Sequence, residues 1–370
     1  MDPASSIEAL ENVAGSEETR PIVVDSHLDL AFNALSLKRD LLLEIEEIRR
    51  REEQTHPYGI PTVSLPELLR GNVKVVFATL WANPCNNQVI DVKPCYSNQE
   101  EAHGQALQQI EYYERLEKGD RGVISIIRTK DDLEDALTQS DSRNSVGVVI
   151  LMEGADPIRE PKEVREWFRR GVRIVGPAWK ATRYAGGTGA PGPLTQDGRN
   201  LLEEMQSLGM ILDGSHFSEE SFFEALDRFK GDFVVSHANS RVFSPSDRHL
   251  SDEMISSVTK RGGVIGTVLY NAFLDGSWKK GSGKEEITLA HVVRNLKHVC
   301  SVAGDRLHVG IGSDLDGGFG AESTPKEIDT IADIQKLGTA LAREGFSTSD
   351  VSNVLGQNWI RVLRRALPSK

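Results

Sequence analysis

The feature that most restricts the fold is an alternation of short apolar runs with amphipathic stretches, which continues from residue 21 to the C-terminus. Most runs are about four to eight residues long and rich in Val and Ile, without a strict polar–apolar alternation, as in strands buried on both faces. They predict eight strands at residues 22–25, 74–81, 146–152, 173–178, 210–213, 233–235, 263–269 and 307–312. A weaker ninth candidate covers residues 123–127.

The amphipathic stretches between these runs predict helices. They cover residues 37–53, 100–118, 131–137, 161–169, 218–229, 252–261, 287–303, 325–343, 347–355 and 357–367. Eight strands alternating with helices predict an α/β fold, a (β/α)₈ barrel of the TIM type. The alternative is an open doubly wound sheet, which usually has a Gly-rich phosphate-binding loop after its first strand. Asp25-Ser26-His27-Leu28-Asp29 stands there instead, and this favours the barrel.

We expect two regions in the chain. Residues 1–20 are polar and acidic and predict a flexible N-terminal tail. Residues 21–370 predict a single (β/α)₈ barrel domain. The Gly/Pro-rich segment 185–193 follows a predicted strand and precedes a helical stretch, so we interpret it as a long loop on the active face rather than a domain boundary.

Charge and cysteine content exclude several classes of partner. The chain has 43 Lys and Arg against 55 Asp and Glu, for a net charge of −12. This balance argues against nucleic acid and against an anionic membrane surface. Pairing Cys85 with Cys95 would leave Cys300 unpaired, so we expect reduced cysteines and a cytoplasmic location. No apolar run approaches the ~18 residues of a membrane span.

Ligand-type side chains follow five of the predicted strands. In a parallel barrel the carboxyl ends of all strands meet on one rim, where function collects. Carboxylates gathered there without cations would repel one another, so the pattern predicts a divalent metal cluster. Imidazole with carboxylate suits zinc best, with Mn²⁺, Co²⁺ or Fe²⁺ as possible substitutes. The candidate ligands and acids are His27, Asp29, Glu153, His216, His237, Asp314 and Asp316.

The motifs around these residues resemble those of the renal or membrane dipeptidase family, metallopeptidase family M19 of the amidohydrolase superfamily. The resemblance covers about residues 20–367. It is carried by the segments Asp25-Ser26-His27-Leu28-Asp29, Met152-Glu153-Gly154, Asp213-Gly214-Ser215-His216-Phe217-Ser218, Ser236-His237-Ala238-Asn239-Ser240-Arg241, Gly310-Ile311-Gly312-Ser313-Asp314-Leu315-Asp316-Gly317 and Asn358-Trp359-Ile360-Arg361-Val362.

The resemblance implies two zinc ions in the barrel and a metal-bridging hydroxide as nucleophile. It places His27 and Asp29 on one ion and His216 and His237 on the other, with Glu153 bridging both. It implies that Asp314, rather than Asp316, transfers the proton to the leaving amine. Arg248 resembles the family arginine that holds the substrate's free carboxylate, where a guanidinium fork suits. A homodimer is expected by the same analogy.

The sequence departs from the family pattern in two places. After the fifth strand the family has a histidine that assists the carbonyl oxygen, and Trp179 stands there in this sequence. We assign Trp179 to substrate binding. Its indole can donate one hydrogen bond but cannot be protonated, so we expect Lys180 or Arg183 to supply the missing donor. The family's substrate-binding tyrosine has no evident counterpart near residues 80–84, and Lys180, Arg183 or Tyr184 are its candidate substitutes.

The leading prediction is a binuclear zinc hydrolase that cleaves dipeptides or dipeptide-like amides with a free carboxylate. One alternative is another amidohydrolase activity, such as the hydrolysis of N-acyl amino acids or cyclic amides. A second alternative is a barrel that keeps its metal but has lost turnover and serves as a binding protein. Retention of Asp314 argues against this last reading, because a binding protein has no need of a proton shuttle there.

Overall fold

The computed structural model describes residues 20–52, 58–86, 92–119, 122–138 and 145–369. The predicted tail at residues 1–20 therefore lies almost wholly outside the described residues. Eleven strands occur in the described part, in chain order β1 (Val23–Leu28), β2 (Val73–Trp81), β3 (Ile124–Ile126), β4 (Val146–Glu153), β5 (Val172–Gly176), β6 (Ala185–Gly187), β7 (Ala190–Leu194), β8 (Ile211–Asp213), β9 (Phe233–Val234), β10 (Ile265–Thr267) and β11 (Val309–Ile311).

Eight parallel strands form the barrel. Their order is β1-β2-β4-β5-β8-β9 on one side, and β11 and then β10 continue from the other edge of β1. A parallel bridge between Val235 and Ile265 joins β9 to β10 and closes the ring. All eight predicted strands are present, and the TIM-type barrel is confirmed. The ninth candidate is also a strand, β3, which pairs only with β4 and lies outside the ring.

Helices surround the barrel. The described α-helices are Leu30–Leu35, Ile45–Arg51, Leu65–Arg70, Gln99–Lys118, Lys130–Thr138, Val164–Arg170, Gln196–Ser207, Glu219–Arg228, Asp252–Lys260, Asn271–Leu274, Leu289–Ala303, Lys336–Arg343, Thr348–Ser352 and Asn358–Ala366. A π-helical turn, Asn353–Gln357, joins the last two. None of the helices in the described ranges is both long and apolar enough to cross a bilayer.

The two faces of the barrel strands supply two apolar cores. Val24, Phe77, Val149 and Ile174 belong to a cluster that the C-terminal helix closes with Trp359. The alternate residues of the same strands belong to a larger cluster shared with the surrounding helices. Burial on both faces explains why the strands are continuously apolar in sequence.

The predicted helix 37–53 is wrong over its first half. Among the described residues of this range, 37–52, only Ile45–Arg51 is α-helical. Lys38 has a φ of 63°, in the left-handed region that interrupts a helix. Arg39 is buried, and its guanidinium donates to Gly59 O at 2.7 Å and to Asn33 Oδ1 at 3.0 Å. The helical spacing of the leucines was therefore overridden by a buried arginine. Similarly, the helix predicted from residue 325 begins only after Thr330.

The segment 185–193 is a hairpin rather than an irregular loop. Strands β6 and β7 pair antiparallel across a turn at Thr188 and Gly189, whose φ of 67° favours glycine. The Thr188 hydroxyl lies 3.1 Å from His216 Nδ1. The hairpin thus stands on the active face, as expected, but with a defined structure.

The expectation of three reduced cysteines is also wrong. Cys85 and Cys95 form a disulfide that spans the loop after β2, and Cys300 is free. Chain folding brings the two cysteines together, and neither their number nor their spacing required this. The cytoplasmic location stays a prediction.

Candidate metal centre and substrate cavity

Glu153 stands at the centre of a cluster of ligand-type side chains on the C-terminal rim. It ends β4, where it shares the interior face of Val149 and Leu151. Its Oε1 lies 3.0 Å from His216 Nε2 and 3.3 Å from His237 Nε2. Its Oε2 lies 3.6 Å from His27 Nε2. One carboxylate oxygen of Glu153 therefore faces His216 and His237, and the other faces His27.

Asp29 and Asp314 complete the cluster on the side of His27. His27 Nε2 lies 4.0 Å from Asp29 Oδ1 and 3.9 Å from Asp314 Oδ1. Two groups of three residues share His27, and in each group the ligand atoms all lie within 4.8 Å of one another. One group is His27, Glu153 and His237, and the other is His27, Asp29 and Asp314. Six of the seven candidate groups, all except Asp316, thus lie together, and imidazole with carboxylate is a donor set that suits zinc.

The buried carboxylates of this cluster repel one another. Burial raises the pKa of Asp29 to about 6, and the Glu153 carboxylate adds to the effect. Burial also raises the pKa of Asp314 well above its usual range, reinforced by Asp29 and Glu153 against the opposing effect of His27. Each shift marks a carboxylate that is costly to ionise there. Divalent cations would remove this cost, so the residues fit such ions.

The pKa values of the three histidines shift in opposite directions. Burial disfavours the charged form of His27, but Glu153, Asp29 and Asp314 outweigh it and raise its pKa to about 10. Burial and the Arg248 charge lower the pKa of His216 to about 4. Burial, with the charge on His27, lowers the pKa of His237 well below its usual range. Two of the three imidazoles are therefore held neutral, which is the form that binds a metal ion.

Local backbone geometry directs two of these side chains into the site. His216 has a φ of 63° and Asp314 a φ of 58°. Such values are uncommon outside glycine and cluster at functional sites. The strain is offset by surrounding hydrogen bonds, including Asp314 N to His27 O at 3.3 Å.

A buried hydrogen-bond chain orients His237. Ser236 Oγ donates to Asp213 Oδ2 at 2.6 Å, and it lies 2.8 Å from His237 Nδ1. Because the hydroxyl has one proton, which goes to the carboxylate, it accepts the proton of Nδ1. His237 Nε2 is then the lone-pair atom that faces Glu153. Such outer hydrogen bonds commonly fix the tautomer of a metal-binding histidine.

Asp316 lies outside the cluster. Its carboxylate accepts hydrogen bonds from Thr62 N at 2.9 Å, Thr62 Oγ1 at 2.7 Å and Val63 N at 3.1 Å. Arg39 Nη1 lies 3.4 Å from its Oδ2. Asp316 therefore holds the 60–63 segment and Arg39 against the barrel rather than facing the metal ligands.

A cavity of about 370 Å³ opens above the cluster. Besides the ligand-type residues, its wall includes Phe32, Trp81, Trp179, Arg248 and Phe273. Sequence analysis singled out Trp179 and Arg248 but missed the apolar members. Phe32, Trp81 and Phe273 had no distinguishing signal, because an aromatic residue in a short helix or at a strand end looks the same in sequence whether it lines a cavity or packs in a core.

The buried guanidinium of Arg248 lies in the wall of this cavity. It is 7% exposed, and neither Nη1 nor Nη2 makes a hydrogen bond to a described residue. Its guanidinium carbon lies 5.7 Å from the centre of the Phe273 ring. A buried guanidinium without a partner is costly unless a ligand supplies an anion.

Only one of the three substitutes proposed for the missing family groups lies at the cavity. Lys180 lines it. Arg183 instead forms an ion pair with Asp197 and donates to Arg159 O. The Tyr184 side chain is buried, and its hydroxyl donates to Ile158 O. The expectation that Arg183 supplies a donor to the substrate is therefore wrong. A tyrosine not considered before, Tyr96, lies beside the disulfide, in the wall of an adjoining cavity.

Comparisons with known proteins show which family the chain belongs to. A family model described as membrane dipeptidase, peptidase family M19, matches residues 17–368. Dipeptidase tcpJ of Claviceps purpurea is 26% identical over 314 residues, which are 82% of this chain and 68% of that protein. An uncharacterized protein of the pqqA 5′ region of Klebsiella pneumoniae is 30% identical over 229 residues, 59% of this chain and 82% of that protein.

A solved structure shares the fold. A metallopeptidase of Rhodobacter sphaeroides, liganded with a phosphinate mimic of the dipeptide L-Ala-D-Ala, superimposes with a TM-score of 0.76 at 23% identity, covering 94% of this chain and 99% of that one. The family model spans nearly the whole sequence and includes every candidate ligand. The chain therefore belongs to the membrane dipeptidase family of metallopeptidases, peptidase family M19.

Proposed function

We propose that this chain, a metal-dependent dipeptidase by family, uses two zinc ions to cleave dipeptides that carry a free carboxylate. The observation that carries the proposal is the carboxylate of Glu153, whose two oxygens face different histidines at the floor of a cavity that also holds an unpaired arginine. His27 and Asp29 would hold one ion, and His216 and His237 the other. Mn²⁺, Co²⁺ or Fe²⁺ are candidate substitutes for zinc.

Ions bound there would polarise the scissile carbonyl and lower the pKa of a shared water, which becomes the nucleophile. Asp314 is the residue placed to move a proton. Its carboxylate borders both the cavity and the His27 side of the cluster. It would take the proton of the nucleophile and deliver it to the leaving amine.

Arg248 orients the substrate. Its buried guanidinium lies in the wall of the same cavity and offers two unpaired Nη atoms, a geometry that matches a carboxylate. A dipeptide bound in this way has its C-terminal carboxylate on Arg248 and its peptide bond at the metal ligands. The R. sphaeroides metallopeptidase, whose ligand mimics a dipeptide, supports a substrate of this size.

The function is tested with zinc-loaded protein and a panel of amides. We expect hydrolysis of free dipeptides, and much slower hydrolysis of the same dipeptides with an amidated C-terminus, of N-acyl amino acids and of cyclic amides. Amine release is followed for each compound. Preferential cleavage of the N-acyl or cyclic compounds would replace the dipeptidase proposal with one of the other amidohydrolase activities, and no turnover of any compound would favour a binding protein.

Arg248→Met should raise KM for a dipeptide about 10- to 100-fold, because a hydrogen bond to a charged group contributes about 1.5–3 kcal/mol. Steady-state kinetics on the free dipeptide and its C-terminal amide measure the effect. KM for the C-terminal amide should change little between the wild-type protein and the variant, because the amide has no carboxylate for Arg248 to bind. Equal losses on both substrates would contradict the assigned role. Arg241→Met is the matched control, because Arg241 is paired with Glu219 outside the cavity.

Asp213→Asn should weaken metal binding about 10- to 100-fold, the usual effect of losing an outer-shell partner. The asparagine amide would donate to Ser236 Oγ, which then gives its own proton to His237 Nδ1. The ring proton moves to Nε2 and blocks the metal-binding atom. Competition with a chelator measures the affinity, with Asp227→Asn on the outer surface as the control. Unchanged zinc affinity in a folded Asp213→Asn protein would show that the chain does not set the tautomer.

A further inference from the structure

A second cavity, of about 390 Å³, adjoins the catalytic cavity and has no part in the function proposed above. Described residues on either side of the Cys85–Cys95 disulfide, the loop after β4 and the loop after β5 line it. Its wall includes Cys85, Tyr96, Asp156 and Thr182. It shares Trp81, Glu153, Trp179 and Lys180 with the catalytic cavity, so the two volumes meet at the metal ligand and the paired tryptophans.

The second cavity lies away from the carboxylate-binding end of the site. Arg248, Phe273 and Asp314 line only the catalytic cavity. A dipeptide with its carboxylate on Arg248 and its peptide bond at the ligands must extend its N-terminal residue away from Arg248. The shared wall at Trp81 and Trp179, whose rings meet edge to face at 5.3 Å, lies on that side. The N-terminal side chain therefore has access to the second cavity.

The wall of this cavity offers one cation without a counter-ion. Lys180 lies with its Nζ 5.5 Å from the centre of the Trp179 ring, and no acidic oxygen of the described residues is within 4 Å of it. The neighbouring Asp156 is already engaged. Its Oδ2 accepts from the Tyr96 hydroxyl at 2.6 Å, and its Oδ1 accepts from Arg183 N at 3.1 Å. Both oxygens of Asp156 therefore already have hydrogen-bond donors, whereas the Lys180 ammonium is the charged group of this wall for which the described residues supply neither a hydrogen bond nor an ion pair.

We propose, building on the dipeptidase function, that the second cavity receives the side chain of the substrate's N-terminal residue and that Lys180 selects a carboxylate there. Dipeptides of the type Glu-Xaa are then the preferred substrate class. A glutamate side chain reaches past the tryptophan pair with its two methylene groups against their rings, and its carboxylate meets the ammonium of Lys180. The second cavity is larger than a glutamate side chain requires, so it also has room for longer anionic groups.

The experiment compares Glu-Ala with its uncharged isostere Gln-Ala and with Ala-Ala, by kcat/KM on the zinc-loaded full chain. The wild-type protein should prefer Glu-Ala to Gln-Ala by about tenfold or more, the scale of one charge-assisted hydrogen bond. Lys180→Met should bring this ratio close to one, with a far larger loss on Glu-Ala than on Ala-Ala. Lys180→Glu should invert the preference, so that Lys-Ala is cleaved better than Glu-Ala. Lys118→Met, at an exposed lysine outside both cavities, should keep the wild-type ratio.

Two results would overturn the proposal. One is a wild-type protein that cleaves Ala-Ala but does not distinguish Glu-Ala from Gln-Ala. The other is an equal loss of kcat on all three substrates in Lys180→Met, which would assign Lys180 to the carbonyl oxygen in place of the family histidine. Absence of turnover on every dipeptide is a different outcome, because it refutes the dipeptidase function itself.

Discussion

His237→Ala should remove one of two bound ions and lower kcat/KM for dipeptides by more than about 10³-fold. His237 Nε2 is 3.3 Å from Glu153 Oε1 and 3.1 Å from His216 Nε2, so its loss opens one side of the cluster. Metal ions supply several kcal/mol of transition-state stabilisation, and each 1.36 kcal/mol is a factor of ten in rate. Elemental analysis of the purified variant, alongside kinetics, measures both effects.

The control for this substitution is His298→Ala. His298 pairs with Asp252 at 2.7 Å on the outer helices and belongs to neither group of candidate ligands. It should keep both ions and wild-type kinetics. A His237→Ala protein that retains two ions per chain, or that keeps its activity, would show that His237 is not a ligand.

Asp314→Asn should lower kcat by about 10²–10⁴-fold and leave two ions bound, because the amide keeps the shape of the side chain but cannot accept the proton. KM should change little, since the carboxylate-binding end of the cavity is intact. Steady-state kinetics and metal analysis on the same preparation separate the two effects.

Asp316→Asn is the matched comparison, two residues along the chain. Its carboxylate holds Thr62, Val63 and Arg39. The change should therefore lower the melting temperature, and it should lower kcat less than Asp314→Asn does. If Asp316→Asn proves the more damaging to kcat in a folded, metal-loaded protein, the two aspartates have their roles reversed.

The barrel was predictable because its strands are buried on both faces and their sequences are continuously apolar. Closure of the barrel then places the carboxyl ends of all its strands on one rim, so ligand-type residues at those ends could be expected to meet. His27, Glu153 and His237 follow from this rule, although they are more than 80 positions apart in sequence. The two-sided arrangement of the Glu153 oxygens came from the family resemblance and not from the strand pattern.

What the sequence left open depends on contacts between distant segments. Arg183 and Lys180 are equivalent candidates in sequence, but Arg183 is drawn to Asp197 while Lys180 faces the cavities. Arg39 lies in the first half of a predicted helix but is not helical, and its partners Asn33 and Gly59 come from other segments. The Cys85–Cys95 disulfide likewise forms only when the loop after β2 folds back. Local pattern cannot report any of these partners.

The central claim is tested most directly by zinc titration of the metal-free protein with dipeptide hydrolysis as the readout. Chelation should abolish the cleavage of a dipeptide such as Ala-Ala or Glu-Ala. Added zinc should restore the rate until about two equivalents per chain are bound, and further zinc should add nothing. Full hydrolysis by metal-free protein would contradict the account, as would protein that holds two zinc ions and cleaves no dipeptide.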